Sequence, residues 1–108
     1  MNNAWVELEA DDGHRFRAWR SLPPEEPLGS VIVAQEIFGV NSHIRNVADG
    51  YAAQGFLAVA PSTFHRVKAG VDLGYQSEDM QAGSALKSAV EALPAPGVMQ
   101  DIQAAIDY

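Results

Sequence analysis

Val31-Ile32-Val33-Ala34-Gln35-Glu36-Ile37-Phe38-Gly39-Val40-Asn41 is an apolar, β-branched run that breaks into a loop opened by a lone carboxylate. A parallel strand covered on both faces has no wet side, so it reads as a continuous apolar run instead of an alternating one. Residues 30–34 are therefore predicted as a buried parallel strand. Open α/β sheets place their ligands just beyond the carboxyl ends of such strands. Glu36 stands at that position.

Downstream, Asn41 or Ser42 can cap a helix in which Ile44, Val47, Ala48 and Tyr51 recur at helical spacing, and Gly55 supplies its stop. Phe56-Leu57-Ala58-Val59-Ala60 is a second apolar run, ended by Pro61. Residues 30–60 thus read as strand, helix, strand, the pattern of a parallel crossover. Upstream, Val6, Leu8 and Ala10 alternate with Glu7 and Glu9, and Phe16 and Ala18 alternate with Arg15, Arg17 and Trp19. With Asp12-Gly13 between them, these stretches predict a β-hairpin with one half-buried face and one wet face. The prolines of Leu22-Pro23-Pro24-Glu25-Glu26-Pro27-Leu28-Gly29 remove ladder donors and fix φ, which makes this stretch a connecting loop.

Beyond Pro61 a loop runs to Tyr75. Ser77 is the expected cap of the next helix, with Glu78 and Asp79 complementing the dipole of its first turn and Leu86, Val90 and Leu93 as its buried stripe. Pro94-Ala95-Pro96-Gly97 punctuates, and Val98, Ile102, Ala105 and Ile106 mark a last amphipathic helix. In a parallel α/β protein a helix normally returns the chain to another strand. Here that return is missing, so the sequence reads as cut between a helix and its strand, before any nucleophile strand.

Composition bounds the function. A chain of 108 residues with 47% hydrophobic content fits one small globular domain, able to bury roughly 60–70% of its unfolded surface. Fourteen acidic against seven basic residues, a formal charge of −7, disfavour nucleic acid and anionic membrane surfaces as partners. The stretch 31–68 is mildly basic by contrast, with Arg45, Arg66 and Lys68 against Glu36 and Asp49. The lack of cysteine removes disulfides and thiolate metal sites. His14, His43 and His65 show no ligand spacing, so neither a metal nor another cofactor is expected. No apolar stretch approaches the ~20 residues of a membrane span, and a cytoplasmic location is the expectation.

The Gln35-Glu36-Ile37-Phe38-Gly39-Val40-Asn41 motif, with the strand before it and Pro61 after it, resembles the amino-terminal part of the dienelactone hydrolase family, a branch of the α/β-hydrolase fold. The hairpin, the Gly70–Tyr75 loop and the Gly97-Val98-Met99-Gln100-Asp101-Ile102 helix are similar to that family as well. The resemblance implies a single incomplete α/β-hydrolase domain over 1–108 and a small ester or lactone substrate of the carboxymethylenebutenolidase type. It also implies a Cys, His, Asp triad. Glu36 would contact the nucleophilic thiol and help set its ionisation, and the Ile37 N–H would be one of two oxyanion-hole donors. α/β-Hydrolases draw one such donor from the loop after the third strand, where Ile37 falls. A fixed donor of this kind is worth about 3–4 kcal/mol of barrier. Phe38 either lines the substrate pocket or packs the loop on the sheet.

Bland readings stand beside these. Glu36 is equally an ordinary loop carboxylate or a cap for the helix near Ser42, and Arg66 and Lys68 read as solvated surface rather than an anion site. The departures from the family are large: neither G-x-C-x-G nor G-x-S-x-G occurs, and Ser84 lies inside a helical pattern. The triad order of the fold puts all three members beyond Tyr108. Residues 76–93 carry only Lys87 as a cation for a substrate carboxylate. In the fold that the resemblance implies, strand 30–34 lies between 56–60 and the absent strand, which leaves it an exposed edge prone to self-association. A noncatalytic half-domain working through that edge is the alternative function, and an unrelated α/β binding module is a third.

Overall fold

The computed structural model describes residues 2–94 and 97–108; Ala95 and Pro96, within the expected punctuation, lie outside them. The elements run β1 (Asn2–Glu9), β2 (Arg15–Leu22), β3 (Ser30–Ile32), α1 (Ser42–Ala53), β4 (Leu57–Pro61), α2 (Ser77–Glu91) and α3 (Met99–Asp107). The sheet order is β1-β2-β4-β3. β1 and β2 form the antiparallel hairpin, with Trp5 opposite Trp19 and Leu8 opposite Phe16. β2 is antiparallel to β4, and β3 is parallel to β4, with Val31 opposite Ala58 and Ile32 opposite Val59. This is the expected α/β architecture, a hairpin joined to a short parallel pair with covering helices.

Alternation along β4 separates two apolar layers, because successive side chains leave opposite faces of a strand. Ala58 and Ala60 pack with Val33, Val40, Ile44 and Ala48, beneath α1. Val59 packs with Leu8, Phe16, Ala18 and Ala105, beneath α3. The small residues Ala58, Ala60 and Ala48 are fully buried and let α1 lie close on the sheet. α1 starts where Asn41 caps it, its Oδ1 accepting from the Ile44 N–H at 3.1 Å. It stops at Gln54, followed by Gly55 with φ 103°, a backbone conformation that other residues adopt only with strain.

Several expectations need correction. β3 covers 30–32, not 30–34, and Val31 and Ile32 are half-buried, because β3 is the sheet's edge among the described residues and pairs with β4 alone. The hairpin's supposedly wet face is partly covered: Trp5 and Trp19 pack edge to face at 5.2 Å, and Trp19 Nε1 donates to Asp49 of α1 at 3.0 Å. Burial opposes the Asp49 charge, but hydrogen bonds from Ser21, Trp19 and Asn3 outweigh it and hold this carboxyl below its ordinary range. The cap of α2 is Gln76, not Ser77, with Asp79 reaching back to the Gln76 N–H at 3.2 Å. In α2 only Gly83 is buried; Leu86 and Val90 are half-exposed, as is Leu93 beyond the helix end.

Arg66, read as solvated surface, is a clamp. Its guanidinium donates to Asp101 of α3 at 2.9 and 3.0 Å and to Asp12 of the hairpin turn at 2.7 and 3.0 Å. Asp101 is completely buried, so this bidentate bond carries the pairing that its charge requires. Removing one partner of a buried pair leaves the other charge uncompensated. Arg66→Ala, which strands the buried Asp101, should therefore cost on the order of 3 kcal/mol in urea unfolding, and a loss under about 1 kcal/mol would contradict the clamp. The hydrogen bond from Arg66 holds the Asp12 carboxyl down at about 2. A depressed carboxyl stabilises above its unfolded pKa, near 3.8, and loses that contribution as pH falls through about 2. An NMR titration of Asp12 should show its midpoint near 2, and a midpoint near 4 would contradict the pairing.

Candidate functional site

The loop leaving β3 is anchored at several points. Gln35 Oε1 accepts from the Thr63 N–H at 2.9 Å, tying this loop to the one after β4, and its Nε2 donates to the Glu36 carbonyl at 3.0 Å. The Gly39 N–H closes a turn onto the Glu36 carbonyl at 3.2 Å. The Phe38 carbonyl accepts from the Leu73 N–H at 2.8 Å, and the Phe38 ring meets Tyr75 edge to face at 4.6 Å. Asn41 links the same segment through Nδ2, which donates to the Leu73 carbonyl at 3.3 Å and Tyr75 Oη at 3.2 Å. Arg45 donates to the Val40 carbonyl at 2.9 Å and to Asp72 at 3.0 Å.

Two glycines admit backbone where a side chain would block it. Gly39 has φ 83°, and a Cβ there would collide with the Val71 carbonyl. Gly83 of α2 lies against the Ile37 carbonyl, so any Cβ would overlap that oxygen. The approach of α2 constrains the Ile37–Phe38 peptide at its carbonyl, and the preceding peptide, which carries the Ile37 N–H, is held at the Glu36 carbonyl. Among the described residues the Ile37 N–H meets no backbone carbonyl.

The outcome is a cleft of about 490 Å³. Gln35, Glu36, Ile37 and Phe38 form one wall, Thr63 and Phe64 another, and Lys87, Val90 and Glu91 of α2 a third. All three site residues expected from the sequence, Glu36, Ile37 and Phe38, therefore share one concavity. Glu36 is exposed and does not cap α1, since Asn41 does. Sequence reasoning passed over the wall from α2, where Lys87 Nζ pairs with Glu91 at 2.8 Å. The i, i+4 spacing of Lys87 and Glu91 was the available signal for the pair, though not for its facing the cleft. Elsewhere, His14 and His65, remote in sequence, bring their rings to 5.2 Å. No group of three metal-ligating side chains forms among the described residues.

The Dienelactone hydrolase family profile matches residues 16–108. The chain belongs to this family. The carboxymethylenebutenolidase of Pseudomonas putida is 34% identical over 103 residues, covering 95% of this chain and 43% of that protein. A candidate carboxymethylenebutenolidase of Synechocystis is 42% identical over 78 residues, covering 72% of this chain and 30% of the relative. A solved candidate dienelactone hydrolase from Klebsiella pneumoniae superposes with a TM-score of 0.62 at 29% identity, over 94% of this chain and 42% of that one. The chain thus spans well under half the length of these relatives. Family membership displaces the reading as an unrelated binding module, and the dienelactone hydrolase and α/β-hydrolase neighbours agree with the fold. No described helix is long and apolar enough to cross a membrane.

Glycine inside a helix normally destabilises it by about 1 kcal/mol relative to alanine. At Gly50 of α1, where a Cβ meets nothing within 4 Å, Gly50→Ala should raise stability by about 0.5–1 kcal/mol. Gly83→Ala should instead lower stability and shift the Ile37 amide resonance. Urea unfolding of both variants checks this, and stabilisation by Gly83→Ala would contradict the close approach of α2.

Proposed function

We propose that this chain supplies the oxyanion side of an ester- or lactone-hydrolysing site of the carboxymethylenebutenolidase type. The observation that carries the reading is the joint placement of Glu36, Ile37 and Phe38 in the cleft at the carboxyl end of parallel strand β3. In hydrolysis of an ester, attack on the carbonyl carbon moves negative charge onto the carbonyl oxygen. The Ile37 N–H donates to that oxygen; the peptide that carries it is held at its Glu36 carbonyl, which accepts from Gln35 Nε2 and the Gly39 N–H, so little reorganisation accompanies the charge. Glu36, exposed on the same wall, helps set the ionisation of the attacking group. Phe38, braced by Tyr75, lines the substrate's path. The nucleophile, acid and histidine come from residues outside this sequence.

The test joins residues 1–108 to the part of the Pseudomonas putida relative that the chain does not match, with hydrolysis of p-nitrophenyl acetate as the readout. The chimera should turn over, and Glu36→Ala should lower its rate by about 10²-fold. The 108-residue chain alone should show no turnover above its own Glu36→Ala control. Control-dependent turnover by the chain alone, or a chimera indifferent to Glu36, would overturn the proposal.

One observation favours a second reading. β3 is an edge strand bearing half-buried Val31 and Ile32, a template for pairing with another strand. A noncatalytic half-domain would act through this edge, on a partner or on a second copy of itself. Light scattering at micromolar concentration should then find dimers or larger species that Val31→Lys disperses. A monodisperse monomer with cooperative unfolding would remove this reading.

A further inference from the structure

We propose that Gln35 is a positioning residue for the oxyanion site: its side-chain amide completes a head-to-tail chain of hydrogen-bonded amides that runs from the turn after β4 to the Ile37 N–H and strengthens that N–H as a donor. This deepens the hydrolase reading and rests on it for the role of Ile37. The chain can be followed bond by bond. The Val67 and Lys68 N–H groups donate to the Phe64 carbonyl at 2.9 and 2.8 Å, and the N–H of that same peptide, on His65, donates to the Ser62 carbonyl at 3.3 Å. The Thr63 N–H, which shares a peptide with the Ser62 carbonyl, donates to Gln35 Oε1 at 2.9 Å. Gln35 Nε2 donates to the Glu36 carbonyl at 3.0 Å, and the N–H of that last peptide belongs to Ile37.

The partners at the two ends of the Gln35 side chain fix its orientation, since an N–H requires the amide oxygen and a carbonyl requires the nitrogen. All of these amides therefore point the same way, with the positive end of the series at the Ile37 N–H. Each peptide unit carries a dipole of about 3.5 D, and head-to-tail alignment adds such dipoles, as it does in a helix. Donation to the carbonyl of an amide also polarises its N–H, so that each bond in a chain strengthens the next by roughly 10–30%. The Glu36 carbonyl takes a second donor, the Gly39 N–H at 3.2 Å, but that bond closes a turn within the loop. Gln35 is the member that carries the polarisation across from Thr63 and Phe64, on the facing wall of the cleft.

Variants of similar length separate this role from simple bracing. Gln35→Met removes both bonds, whereas Gln35→Glu keeps the acceptor for the Thr63 N–H and, when ionised, cannot donate to the Glu36 carbonyl. In the 108-residue chain the Glu36 carbonyl-carbon resonance should move upfield in both variants, because each donor that a carbonyl accepts from deshields its carbon. The Leu73 amide, bonded to the Phe38 carbonyl, should keep its protection from exchange. In the chimera with the Pseudomonas putida relative, Gln35→Met should lower kcat for p-nitrophenyl acetate about three- to tenfold, the worth of one ordinary hydrogen bond, and leave KM unchanged. An unmoved Glu36 carbonyl would overturn the proposal. Loss of the Leu73 protection would overturn it too, by making Gln35 a brace for the whole loop, as would an active chimera that is indifferent to Gln35→Met or changes in KM alone. An inactive chimera would instead defeat the hydrolase reading, and the Glu36 carbonyl shift would still decide whether Gln35 polarises the Ile37 peptide.

Discussion

The parallel pairing of β3 with β4 is the constraint on which the rest of this structure depends. Parallel neighbours cannot be joined by a tight turn, so the chain must leave β3, cross the sheet and return, and α1 makes that crossing. The crossing aims the β3 and β4 exits at the same end of the sheet, where Gln35 and Thr63 are joined by a hydrogen bond. The fully buried Ala48, Ala58 and Ala60 permit a close layer between helix and sheet, and Val59 on the opposite face holds the second layer with Phe16 and Ala105.

From that constraint the Gln35–Asn41 loop acquires a definite shape with no regular secondary structure of its own. Apart from two bonds onto its own Glu36 carbonyl, its hydrogen bonds run to Thr63, Leu73, Tyr75 and the first turns of α1, so that it is held by three other segments of the chain. Glycines at two contacts let backbone meet backbone, Gly39 against Val71 and Gly83 against Ile37. A loop fixed from outside in this way can present a backbone N–H without spending it on an internal partner. Such preorganisation is what stabilising a developing oxyanion requires.

Much of this architecture was legible along the chain because it is local. The two-residue period of Leu8, Ala10, Phe16 and Ala18 marks the hairpin, and the β-branched run and the spacing of Ile44, Ala48 and Tyr51 mark the crossover. The site loop was legible from its motif. What escaped depends on pairs far apart in sequence. Arg66 looks like one more surface cation until Asp12 and Asp101 converge on it from the hairpin turn and α3. Asp49 beneath Trp19 and Ser21, and the His14–His65 contact, are hidden for the same reason. The reading of β3 as buried on both faces failed because burial depends on neighbours, and β4 is its one paired neighbour among the described residues. The apolar stripe of α2 is visible in sequence as Leu86, Val90 and Leu93, yet whether it is covered is a property of the assembled layers.

Amide hydrogen exchange across the Gln35–Asn41 loop tests the central claim, that the loop is rigidly anchored while the Ile37 N–H stays unspent. The account predicts slow exchange at Ile44 and Leu73, whose N–H groups bond to Asn41 Oδ1 and the Phe38 carbonyl, and rapid exchange at Ile37. Protection of the Ile37 amide comparable to that of Leu73 would mean that the donor is already engaged, and would contradict its assignment to the oxyanion site.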